Sequence, residues 1–113
     1  MILNCLKRFK FVSQIEVQEF RTFKDGFFVK VKAALSCGWF LFVREYVDFC
    51  ERNYSYHLQD AEGNLIARWD NAPHHPNVST YPHHKHLRGE VLPSYSITCE
   101  EILEEIAGLI DRG

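Results

Sequence analysis

No two cysteines in this chain of 113 residues stand at CxxC spacing. Cys5, Cys37, Cys50 and Cys99 are scattered instead, which argues against a disulfide framework and for reduced thiols in a cytoplasmic protein. No apolar run approaches the roughly 18 residues that a membrane span requires. Cys37–Val43 is apolar but short, and Arg44-Glu45 ends it. A secretory leader is not expected, because Lys7, Arg8 and Lys10 follow the few N-terminal apolar residues instead of preceding them. There is no HExxH motif, no internal repeat and no low-complexity segment. Strong charge is missing as well, with a formal net charge of −2. That balance conceals an asymmetry: residues 99–113 hold five acids and one base, and the remaining 98 carry 12 bases against 10 acids. A mildly basic body permits a nucleic-acid partner without demanding one.

The length fits a single domain, residues 1–113. A hydrophobic content of 46% with sixteen aromatic residues is enough for a core. Histidine is the residue that is concentrated. Five of the six fall in Trp69–His86, WDNAPHHPNVSTYPHHKH, together with three of the four prolines. Pro73, Pro76 and Pro82 each lack an N–H and restrict the residue before them, so this stretch reads as a constrained loop. Imidazole titrates near neutrality, which suits it to proton transfer and to metal binding. The histidine loop is therefore the candidate functional element.

In chain order, residues 2–9 predict a short helix. Phe11–Phe23 alternates as a strand, with Ile15 and Val17 on one side and Glu16 and Gln18 on the other. Phe20 breaks the phase, which places a bulge near Glu19. Asp25-Gly26 signals a hairpin turn into a second strand, where Val29, Val31 and Ala33 alternate with Lys30 and Lys32. Cys37-Gly38 turns the chain again. Trp39–Val47 is apolar on both faces as far as Val43, as in a central strand. Glu45 then interrupts it, either at a wet strand end or as a site residue.

Tyr54, Tyr56 and Leu58 alternate into a turn at Asp60–Asn64, and Leu65, Ala67 and Trp69 alternate out of it. Closing that hairpin on Glu62-Gly63 pairs Tyr56 with Trp69 and Leu58 with Ala67 on the core side. It pairs His57 with Arg68 and Ser55 with Asp70 on the other side. Leu87–Tyr95 reads as irregular, with room for a short edge strand. Thr98 and Glu101 form a capping box, and Ile102, Leu103, Ile106, Leu109 and Ile110 stripe one face of the helix that follows. The expected fold is α+β: a five-stranded antiparallel meander sheet covered by a C-terminal helix, with the His/Pro-rich loop before it.

For chemistry, the loop admits a bland reading as a solvated, turn-capping segment, and two sharper ones. Metal binding is weakly signalled. His84 and His86 share a face if the chain is extended there, and Asp70 or Asp60 can add oxygen ligands. Yet no spacing matches a structural zinc site, and no metal or other cofactor is expected. Acid–base cleavage of RNA needs a base for the 2′-hydroxyl, an acid for the leaving oxygen and cations around the phosphorane. His57, His74, His75, His83, His84 and His86 are the candidate acids and bases. Arg68 and Lys85 are candidates for transition-state charge. Tyr56, Tyr81, Asp70, Asn71 and Arg88 are candidates for holding the substrate.

REYVDF (Arg44–Phe49), YSYHLQDAEGNLI (Tyr54–Ile66), RWDNAPHHPNVSTYPHHKH and the TCEEILEEI helix start together resemble the TumE family of toxins from toxin–antitoxin modules. The resemblance runs over residues 10 to 112, with a shorter N-terminal lead-in than the family pattern. WDNAPHH followed after six residues by PHHKH is not a generic pattern. Trp69, Asp70, Asn71, Pro73, His74, His75, Pro82, His83, His84, Lys85 and His86 fall inside the family signature. The resemblance implies a small cytoplasmic toxin neutralised by a cognate protein antitoxin, often one with a helix-turn-helix domain. Together with the residues it points to a metal-independent endoribonuclease acting on RNA, with no membrane partner and homo-oligomerisation left open. The alternatives are a non-enzymatic toxin or binding module that blocks a cellular target, and a metal-dependent nuclease using the same histidines.

Overall fold

The computed structural model describes residues 2–112. Helix α1 (Ile2–Arg8) precedes seven strands: β1 (Val12–Phe23), β2 (Gly26–Leu35), β3 (Phe40–Val47), β4 (Arg52–Gln59), β5 (Leu65–Asp70), β6 (His84–Leu87) and β7 (Glu90–Pro93). Helix α2 (Cys99–Arg112) closes the chain. The strands lie in one antiparallel sheet in chain order, a plain meander. The α+β class and the C-terminal helix are as expected, but the sheet has seven strands, not five.

Of the two additional strands, β6 comes from the end of the stretch that reads as a histidine loop and β7 from the segment that reads as irregular. β6 and β7 form a hairpin around Arg88-Gly89, where both residues have positive φ, 53° and 79°. A two-residue turn of that hand matches the twist of the flanking strands. Asn or Asp ordinarily stands where Arg88 does, so the turn is poorly marked in the sequence. β6 pairs with β5 as well as β7, so the histidine loop shortens to residues 71–83 and its last histidines enter an interior strand.

One face of the sheet is the core. Val29, Val31, Ala33, Leu41, Val43, Tyr54, Tyr56, Leu58, Ala67 and Trp69 point to it, and Leu6, Ile102, Leu103 and Ile106 of the two helices cover it. The capping box of α2 forms as expected: the Glu101 N–H donates to Thr98 Oγ1 at 3.2 Å and the Thr98 N–H donates to Glu101 Oε1 at 3.0 Å. Glu105 fastens the helix to the sheet, accepting from Trp69 Nε1 at 3.3 Å and Lys85 Nζ at 3.0 Å. Glu45 also lies on the core side, where it accepts from Arg52 at 3.0 Å. Its burial is thus compensated by a structural ion pair.

The expected β4–β5 pairs are present: Ser55 with Asp70, Tyr56 with Trp69, His57 with Arg68 and Leu58 with Ala67. The register shifts beyond Leu58, because Asp60 Oδ1 accepts from the N–H groups of Glu62 and Asn64 and widens the turn. The break expected near Glu19 is a register shift between Val17 and Glu19.

The first hairpin turns on Lys24-Asp25, one residue earlier than expected, with Gly26 already paired to Phe23. Gly26 is needed for close approach, since a Cβ there would collide with the Val47 carbonyl oxygen of β3. Gly26→Ala should therefore cost roughly 1–3 kcal/mol, as overpacking does. A urea midpoint unchanged from that of the parent protein would contradict this.

Candidate functional site

The sheet's other face carries no helix, and its outward residues form rows across the strands. One row runs Lys32, Phe42, His57, Arg68 and His86 over β2 to β6. The next runs Lys30, Arg44, Ser55, Asp70 and His84. Cations and rings alternate here. The Arg21 and Arg44 guanidiniums each lie 5.1 Å from the Phe28 ring centre, and the Lys32 ammonium lies 4.9 Å from that of Phe40. A groove of about 710 Å³ is lined by Arg21, Phe28, Arg44, Arg68, Asp70 and Asn71. A hollow of about 380 Å³ beside it reaches Lys30, Phe42 and His57.

At one end of these rows the Asp70 carboxylate gathers the site. Only 4% of Asp70 is exposed. Its Oδ1 accepts from the Ala72 N–H at 3.0 Å and lies 3.0 Å from His84 Nε2. Its Oδ2 accepts from Arg68 Nε at 3.0 Å and lies 3.6 Å from His86 Nε2. His84, 2% exposed, has its Nδ1 2.9 Å from the Pro82 carbonyl oxygen. Both ring nitrogens of His84 thus face acceptor oxygens. His75 folds over from the loop, and the centroids of the His75, His84 and His86 rings are 4.8 to 5.4 Å apart.

Beyond Arg68, His57 completes the line. Its Nδ1 is 3.2 Å from Arg68 Nη1 and its Nε2 is 3.2 Å from Gln59 Oε1. Burial, then the neighbouring guanidinium, holds its pKa below the usual imidazole value. Burial also lowers that of His86, opposed by Asp70 and helped by His84 and His75.

Of the residues picked from the sequence, His57, Arg68, Asp70, His75, His84 and His86 come together. The others do not. Side chains alternate along an extended strand, so Lys85 points to the core side and its ammonium pairs with Glu105. His83 stacks on Tyr54 and shares a 2.9 Å hydrogen bond with its hydroxyl; burial, then Arg52, lowers its pKa. Tyr56 is 1% exposed within the core and unavailable to stack a base. Asn71 is a structural clamp, accepting from the Tyr54 N–H at 3.0 Å and donating to the Arg52 carbonyl. His74 and Tyr81 are exposed on the loop, and Arg88 forms the β6–β7 turn. Conversely, Arg44 and Phe28 line the groove without having been picked as site residues. Their signal was the strand alternation that puts Arg44 on the face of His57.

A sheet with one bare face, where lysines and arginines meet Glu16 and Glu19 of β1, and an imidazole–carboxylate cluster at its end define a small α+β protein. Its sequence assigns it further: residues 2–110 match the family described as Toxin TumE, and the chain belongs to that toxin family. No curated protein and no solved structure matches it. No helix among the described residues is long and apolar enough to cross a membrane.

Removing the Asp70 carboxylate leaves Arg68 without its counter-charge and the buried His84 Nε2 without its partner. Breaking such a buried pair costs about 3–5 kcal/mol, so Asp70→Ala should be destabilised by that order in chemical denaturation. A variant as stable as the parent would show that the cluster does not depend on the carboxylate.

Proposed function

We propose that this toxin is an endoribonuclease that cuts RNA on the bare face of its sheet. The observation that carries the reading is the row His57–Arg68–His86, an arginine flanked by imidazoles beside a groove of cations and aromatic rings. Arg44 and Lys30 attract the phosphate backbone, and Phe28 and Phe42 offer ring surface to unstacked bases; Arg21 is paired with Glu19 at 2.9 Å. Such contacts suit single-stranded RNA better than a duplex.

In the cleavage step, His57 takes the proton of a 2′-hydroxyl, and that oxygen attacks phosphorus to form the cyclic phosphate. The bond to the 5′-oxygen breaks, and that oxygen needs a proton. A protonated imidazole of the cluster across Arg68, with His86 in the same row, donates it. Arg68 lies between them, and its guanidinium opposes the charge that builds on the phosphorane. The lowered pKa of His57 favours its neutral form at neutral pH, the form a base needs. A cognate protein antitoxin, of the kind that carries a helix-turn-helix domain, is the expected neutralising partner in the cytoplasm.

Purified protein incubated with total cellular RNA should cleave it, and His57→Ala should lower the rate by roughly 10²–10⁴-fold without loss of folding, the usual contribution of a proton-transfer group. Intact RNA with the parent protein at every concentration would overturn the reading in favour of a toxin that acts by blocking its target. The pH profile gives a separate check. Because the pKa of His57 lies below its ordinary 6.5, kcat/KM should hold through pH 7 and fall only in more acid solution. Arg68→Gln, which relieves the repulsion on His57, should move that limb towards higher pH. A limb centred at or above 6.5 in the parent would remove His57 from the role.

A further inference from the structure

We propose that His75, His84 and His86 form a binding site for a zinc-like divalent cation, with the Asp70 carboxylate at its edge. The proposal stands on geometry and holds whether or not RNA is the substrate. One ring nitrogen from each histidine lies within 4.8 Å of the corresponding atoms of the other two. The Asp70 oxygens lie 3.0 Å from His84 Nε2 and 3.6 Å from His86 Nε2. Bonds of about 2.0–2.1 Å at tetrahedral angles separate neighbouring ligand atoms by about 3.3 Å. The two Asp70 contacts lie on either side of that value, and the imidazole nitrogens, up to 4.8 Å apart, would draw together by ring rotation to hold one cation.

Three further features fit a metal site. His84 Nδ1 lies against the Pro82 carbonyl, which leaves Nε2 directed into the cluster. Metal-bound histidines are usually oriented in this way through their second nitrogen. The ligands come from two rigidly joined pieces, with His84 and His86 on β6 and His75 on a loop constrained by Pro73 and Pro76. Among the described residues no hydrogen bond holds the His75 ring, yet it packs edge-on against both of the others. A cation would give it a bonding partner.

Nitrogen-rich ligation selects zinc and its first-row neighbours over magnesium or calcium, which prefer oxygen. Three histidines leave a fourth position for water or for an Asp70 oxygen. The His84 side chain is 2% exposed and that of His86 25% exposed, so the site is reached from the His86 side. A water held there would be acidified.

The test is metal binding itself, with ZnCl2 and chelator-stripped protein in a calorimeter. One zinc ion per chain should bind, and saturating zinc should raise the melting temperature, since only the folded chain assembles the site. His75→Ala and His86→Ala should each weaken binding at least tenfold. His74→Ala, next door on the exposed loop, should leave it unchanged, and MgCl2 should produce no heat. His84→Ala is a poorer probe because the residue is buried, so the decision rests on the other two. No zinc binding by the parent protein, or binding that survives both His75→Ala and His86→Ala, overturns the site. RNA cleavage is not the readout, so loss of the ribonuclease reading would leave this result standing.

Discussion

The Asp70 carboxylate is the constraint around which the site is arranged. It is buried at the end of β5, where an uncompensated charge would be costly. Compensation comes from four directions: the Ala72 N–H of the outgoing loop, Arg68 on its own strand, and His84 and His86 on β6. One side chain therefore starts the loop, joins two strands and sets the orientation of an arginine and two imidazoles. The β5–β6 pairing and the site are held by the same contacts. Stability and chemistry are not separable at this residue, whereas at His57 and His75, away from the carboxylate, they are.

The division of the sheet into two faces explains what the rest of the chain does. Both helices go to one side, where the apolar residues of β2 to β5 are continuous. The other side cannot be covered by the same means, because its rows carry lysine, arginine and histidine. It still contains buried apolar surface: Phe28 is 7% exposed, beneath Arg21 and Arg44. Long cationic side chains can cover an aromatic ring and keep their charge in water. The face thus keeps an aromatic base under charged side chains, with Glu16 and Glu19 of β1 opposite Lys32 and Lys30.

Legibility in the sequence followed the strength of local signals. The β4–β5 register could be read because Tyr54–Gln59 and Leu65–Asp70 alternate cleanly about a marked turn, and that register placed His57 beside Arg68 and ended at Asp70. The α2 cap and stripe were legible for the same reason. β6 and β7 were not: four residues each, joined by Arg88-Gly89 and ended by Pro93, they offer little periodicity and an uncommon turn. Missing β6 had a consequence for the site. Treated as loop, His83 to His86 look like one cluster. On the strand, His84, Lys85 and His86 divide by alternation, with His84 and His86 turned to Asp70 and Lys85 to the core side, while His83 just before it packs on Tyr54. The metal signal was weak in the sequence for a related reason. His75 and the β6 pair are brought together by tertiary folding, so no short spacing encodes them.

That alternation also ties the C-terminal helix to the site. Lys85 stands between His84 and His86 and ends in an ion pair with Glu105 of α2, which also accepts from Trp69 beside Asp70. The helix that seals the core thus grips β5 and β6 at the residues between the site's own. A shift of α2 would move Lys85 and Trp69, and the rigid alternation of the strands would carry His84, His86 and Asp70 with them. The coupling is one of position: a single packed arrangement holds the cluster from behind while its front stays open. The acidic helix therefore bears, through Trp69 and Lys85, on how the two β6 imidazoles meet the Asp70 carboxylate.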